Sequence, residues 1–145
     1  MTPHEITEAL HEAIRLRLSG RELLLDTERA VAECNGIGAA WMGGLCDVIT
    51  AINPAFLVPS MIHDIRYYIG GTEGDRKRAD DEFLANCLIA VHDRYGWYNP
   101  FRYWNRRKAF RYYDLLRTAG TFAWHDKNNV DKNNYIIGGT FRDNS

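Results

Sequence analysis

Two short strings hold most of the chemistry in this 145-residue chain: His63-Asp64-Ile65-Arg66-Tyr67 and Ala79-Asp80-Asp81-Glu82-Phe83. On a helix, His63 and Tyr67 are four residues apart and share a face. Asp64 is turned from His63 by about 100°. The link between the strings is short, so two helices here would be antiparallel neighbours. Asp80, near the start of the second, could then reach the face that carries His63 and Tyr67. An imidazole within hydrogen-bond reach of a carboxylate is held in one tautomer and becomes a better general base. Asp64 points elsewhere and is a candidate ligand for a hard cation. Ca²⁺ takes about six to eight oxygens, several of them commonly backbone carbonyls. The glycine-rich segment Cys34-Asn35-Gly36-Ile37-Gly38 is a loop able to turn carbonyls inward.

The elements that would position these groups read as helices. Thr2-Pro3-His4-Glu5 has the pattern of a capping box with proline at the first helical position. Ile6, Leu10, Ile14 and Leu18 follow at helical spacing, and Ser19-Gly20 ends or kinks that helix. Helical character resumes over 21–33, and two glycines and an asparagine make 34–38 a turn. A short helix is expected near 44–52. Pro59 suits the first position of a helix that runs from Ser60 to Ile69 and stops at Gly70-Gly71. Residues 72–76 read as a polar turn. A helix from Lys77 to about Arg94 would bury Ala79, Phe83, Leu84, Cys87, Leu88 and Val91. Asn99-Pro100 opens a last helix, ending at Ala119-Gly120, with Phe101, Trp104, Ala109, Tyr112, Tyr113 and Leu116 on its apolar face. Strand patterns are not convincing, so the expected class is all-α, with one domain over 1–125. The segment 126–145 is a polar tail with a near-repeat of Asp-Lys-Asn-Asn, expected to be loop unless a partner orders it.

Composition excludes several classes. A hydrophobic fraction of 46% and a charged fraction of 26% are ordinary globular usage, not that of a disordered chain, a coiled-coil rod or a collagen. The length suits one domain with a real core. No apolar run is long enough for a membrane span, and the opening residues lack the basic and apolar regions of a signal peptide. The expected location is therefore the cytoplasm of the producing cell. Three cysteines are too few for a disulfide scaffold. Cys34, Cys46 and Cys87 read as buried thiols, with a Cys34–Cys87 bridge left open for an oxidising setting. The net charge of −1 hides an asymmetry: residues 1–64 carry four Lys/Arg against nine Asp/Glu, and residues 65–125 carry eleven against seven. Arg102, Arg106, Arg107, Lys108, Arg111 and Arg117 concentrate the positive charge among tryptophans and tyrosines. Such a stripe is either a solvated helix face or a surface for lipid phosphate. Nucleic acid is not an expected partner, because the chain is not basic overall.

The order and spacing of these strings resemble the phospholipase A2 superfamily. The resemblance rests on Gly36-Ile37-Gly38, Pro59, His63-Asp64-Ile65-Arg66-Tyr67, Gly70-Gly71 and Arg78-Ala79-Asp80-Asp81-Glu82-Phe83, with Cys87 a turn later. It covers about residues 34–92. It is strongest to the short, cysteine-poor branches found in bacteria, bacteriophages and parvovirus capsid proteins. It implies a core of two antiparallel catalytic helices and a Ca²⁺-dependent hydrolase of the sn-2 acyl ester of phospholipids. His63 would activate water, Asp80 would orient His63, and Tyr67 would hydrogen-bond that pair. Asp64 and the carbonyls of Cys34, Gly36 and Gly38 would hold Ca²⁺. A phospholipid membrane would be the surface on which it acts, and lipid degradation by a phage or virion component the setting. Two features depart from the disulfide-rich secreted members: no cysteine on the first helix faces Cys87, and 24 residues separate Gly38 from His63.

Two other readings stand beside this one. The same fold could serve as a non-catalytic assembly component of a phage particle or other complex, docking through the basic aromatic helix 100–118 and the tail 126–145. A phosphohydrolase with a His-Asp doublet would need further His and Asp ligands, and His4, His11, His92 and His125 show no metal spacing.

Overall fold

The computed structural model describes residues 2–35 and 53–143, and the regular elements among them are all helical. Helix α1 spans Pro3–Arg15, a 3₁₀ turn Arg21–Leu24, α2 Thr27–Asn35, a second 3₁₀ turn Pro54–Phe56, α3 Leu57–Ile69, α4 Glu73–Arg94 and α5 Pro100–Asp143. Gly36, Gly38, Cys46 and the expected helix near 44–52 lie outside the described residues.

Local chemistry accounts for the boundaries. The Thr2/Glu5 capping box forms as its sequence indicates. Helix α1 then ends at Arg15, short of Leu18. The chain turns through Arg17 and Gly20, both at positive φ, and Leu18 drops into the core. A Cβ on Gly20 would meet Ile62 Cγ2 at 2.6 Å, so this turn needs glycine both for its dihedral and for its closeness to α3. Asp26 caps α2 by accepting from the Arg29 N–H. Helix α3 starts at Leu57 rather than Ser60, with Pro59 inside its first turn, where the missing N–H has no intrahelical partner to lose. Gly70 ends it at φ 72°. Residues 72–76, expected as a turn, are the start of α4. Thr72 accepts from the Asp75 N–H, and the Asp75 carboxylate accepts in return from the Thr72 N–H, a capping box with Asp in place of Glu.

Two apolar clusters stack the helices. In the first, Ile6, Ala9, Ala13, Leu18, Leu24 and Ala30 of the N-terminal segments pack on Val58, Met61, Ile62 and Ile65 of α3. In the second, Phe56 meets Phe83, Cys87 and Val91 of α4 and Ala109 and Leu116 of α5. Helix α3 packs against the N-terminal segments and against α4, and every residue from Val58 to His63 is buried. Asn86 of α4 clamps the Ser19 turn by accepting from its N–H at 3.0 Å and donating to its carbonyl at 2.9 Å. Arg15 adds an ion pair to Asp93.

Helix α5 corrects the sequence reading twice. It does not stop at Gly120, and the backbone of the polar segment is helical through Asp143 rather than loop. No proline follows Pro100, so nothing removes an i→i−4 hydrogen bond. Its buried stripe is Asn105, Ala109, Leu116, Gly120 and Trp124, while Phe101 and Trp104, expected inside, are 63% and 69% exposed. Asn105 takes the inward position by accepting from Asn53 Nδ2 at 2.7 Å. Cys87 is a buried free thiol, pushed up in pKa by burial. No helix among the described residues is long and apolar enough to cross a membrane.

Candidate functional site

Helices α3 and α4 are joined by Gly70, Gly71 and Thr72, so they fold back against each other. His63 and Tyr67, one turn apart on α3, then face Asp80 in the second turn of α4. His63 Nε2 lies 2.9 Å from Asp80 Oδ1, and the Tyr67 hydroxyl donates to the same oxygen at 2.7 Å. The two rings are 4.2 Å apart between centroids, and Phe83 closes the other side of His63 at 5.2 Å. His63 and Tyr67 are each 2% exposed and Asp80 is fully buried. The three residues singled out from the sequence thus meet at one carboxylate.

Spacing did not point to the other half of that carboxylate's surroundings. Arg117 of α5 donates to Asp80 Oδ2 at 2.8 Å, and Arg76, one turn before Asp80 on α4, approaches the same oxygen at 3.4 Å. Arg76 is itself buried. It forks onto Glu73 and donates to the Leu116 carbonyl of α5. The i, i+4 step from Arg76 to Asp80 was the one available signal. For Arg117, counted in the basic stripe, no local pattern marked it out.

These partners fix the protonation of the acid. Burial pushes the Asp80 carboxyl upward, but hydrogen bonds from His63, Tyr67 and Arg117 outweigh it and hold Asp80 below the usual carboxylate range. An ionised carboxylate only accepts hydrogen bonds. His63 Nε2 therefore carries the proton toward Asp80, and Nδ1 is the nitrogen left for proton transfer. Two arginines already balance the Asp80 and Glu73 charges. Burial, followed by the Asp80 charge, raises the Tyr67 phenol well above its ordinary value, so Tyr67 stays a donor.

Tyr67 is held in turn by α5. Its ring meets Trp124 edge to face at 5.1 Å. A Cβ on Gly120 would lie 2.6 Å from its hydroxyl. Gly120, read as a helix stop, instead provides the clearance that lets the Tyr67 hydroxyl reach Asp80.

Of the candidate cation ligands, Asp64 and Cys34 lie among the described residues. Asp64 is half-buried on α3, one step round from His63. Cys34 falls in the last turn of α2 rather than in a loop, and α2 packs against α3. Carbonyls at a helix end have no intrahelical partner, and a carboxylate with such carbonyls is a hard-oxygen donor set suited to Ca²⁺. No group of three or more His, Cys, Asp or Glu side chains that could hold a metal occurs among the described residues. Searches against protein-family models, curated proteins and solved structures find no match to this chain.

Proposed function

We propose that this protein is a Ca²⁺-dependent phospholipase A2-like hydrolase that cleaves the sn-2 acyl ester of phospholipids. The observation that carries the reading is the buried His63–Asp80–Tyr67 group on two antiparallel helices, with His63 Nε2 committed to Asp80. In this reaction a water hydrogen-bonded to His63 Nδ1 gives up a proton to it and attacks the ester carbonyl. Asp80 stabilises the imidazolium that forms, and Tyr67 and Arg117 keep the carboxylate from turning. The carbonyl re-forms, the bond to the glycerol oxygen breaks, and that oxygen takes the proton back from Nδ1. The products are a fatty acid and a lysophospholipid. Asp64 and the carbonyls of Cys34, Gly36 and Gly38 would hold the Ca²⁺, whose chemistry when bound is Lewis-acid polarisation of the ester carbonyl.

Access to a bilayer is supported by the start of α5 and the turn before it. Trp97, Tyr98, Phe101, Tyr103 and Trp104 are all more than half exposed, beside Arg102, Arg106 and Arg107. Tryptophan and tyrosine favour the headgroup level of a membrane, and arginine pairs with lipid phosphate. The test is fatty-acid release from phospholipid vesicles. His63→Gln, or EGTA on the unaltered protein, abolishes release while the helical circular dichroism persists. Release that survives both treatments would sink the reading.

One observation favours a second reading. Every oxygen of Asp80 is engaged by this chain's own groups and His63 is almost fully covered, which is also what a purely structural keystone looks like. A phage-particle or other assembly component on this fold would use the exposed aromatics and the 126–145 segment for docking. Truncation of 126–145 would then abolish assembly, and Ca²⁺ would have no effect on thermal stability.

A further inference from the structure

Beside Trp124, which packs on Tyr67, α3, α4 and α5 line a cleft of about 440 Å³, within the usual size of a small-molecule site. Trp124 lines it, with Arg66 and Ile69 from α3 and Arg78, Ala79 and Glu82 from α4. Trp124 is 2% exposed, and its indole Nε1–H has no hydrogen-bond partner among the described residues. A buried donor left unmatched costs about 1–3 kcal/mol, so an acceptor belongs against it.

The side-chain donors and acceptors around the cleft define that acceptor. Both carboxylates are engaged. Glu82 accepts from Arg66 through both oxygens and from the Ser19 hydroxyl, and Asp75 accepts from Thr72 and Arg78. The donors are in excess: Arg66 uses Nε and Nη2, and Arg78 uses only Nη2. A guanidinium offers five N–H donors in a planar fork suited to carboxylate and phosphate. Ile69 and Ala79 add an apolar wall. We infer that this cleft binds a molecule with an oxyanion head, phosphate or carboxylate, taken by the Trp124 N–H and the Arg66 and Arg78 guanidinium groups.

Binding here does not require hydrolysis at His63. The test is the indole ¹H–¹⁵N spectrum of the full chain, with the Trp124 resonance assigned by its loss in Trp124→Phe, during titration with inorganic phosphate and, separately, octanoate. A saturable downfield shift of that resonance is expected with at least one anion, unchanged in His63→Gln and weakened at least tenfold in Arg78→Gln, a largely exposed side chain. A response to phosphate alone identifies a free oxyanion. A response to octanoate alone identifies a carboxylate with an apolar chain, such as a released fatty acid. No saturable shift with either anion, or full affinity retained in Arg78→Gln, overturns the assignment.

Discussion

Asp80 is the residue on which the site depends, because one carboxylate receives His63, Tyr67, Arg76 and Arg117. Removing one partner of a buried charge group leaves the others uncompensated, at about 3–5 kcal/mol. Asp80→Asn should lower stability at neutral pH by about 3 kcal/mol, read as the shift in a urea unfolding curve. The sign with pH follows from the direction of its shift. Folding holds Asp80 below its ordinary value of 3.8, so its stabilisation is complete above that pH and fades as pH falls through the lower folded value. Part of the acid unfolding below 3.8 should therefore disappear in Asp80→Asn. Tyr67→Phe keeps the ring against Trp124 but loses one donor. It should cost about 1 kcal/mol and, on the hydrolase reading, lower turnover more than substrate binding.

At the scale of elements, the site depends on how α3, α4 and α5 are started and spaced. The Thr72 cap fixes where α4 begins and therefore where Asp80 sits along it. Thr72→Ala should destabilise the protein by about 1 kcal/mol, measurable by thermal or urea denaturation. Gly120 sets the approach of α5 to α3. Elsewhere in a helix, alanine would be about 1 kcal/mol better than glycine. Here its Cβ would overlap the Tyr67 hydroxyl. Gly120→Ala should be net destabilising, and the Tyr67 hydroxyl should move off Asp80, seen as a shifted His63 imidazole resonance. A stabilised variant with an unchanged resonance would show that the close approach does not matter.

Over the whole molecule, two apolar clusters hold the described helices together. The N-terminal segments pack on α3, and α4 and α5 pack around Phe56 of the preceding turn. Phe83 links the second cluster to the site, since it packs with Phe56 and Cys87 and also faces His63. Phe83→Ala should cost about 3–5 kcal/mol and loosen His63 together with the core. The aromatic group at the start of α5 has the opposite character. Trp104→Ala, at a site 69% exposed, should leave stability within about 0.5 kcal/mol. On the hydrolase reading, it should weaken binding to anionic phospholipid in vesicle co-sedimentation.

The all-helical class, the starts of α1 and α5, the stop at Gly70 and the meeting of His63, Tyr67 and Asp80 could be read from the sequence. Each depends on local rules: caps, helical spacing, and a short link that forces two helices antiparallel. Proline and glycine were less dependable when read singly. Pro59 sits inside a helix rather than at its head, and Gly120 lies within a helix because another side chain needs its space. The inward turn of Asn105, the exposure of Trp104 and the arrival of Arg117 at Asp80 were decided only by tertiary structure. They depend on which faces of three helices meet, and the charge on Asp80 attracts any donor that packing brings near, however far away in sequence. The sequence determined the His63–Asp80 pair and the tyrosine beside it. Tertiary structure added Arg117 at the second oxygen of that acid and opened the cleft lined by Trp124, because both depend on α5 meeting α4.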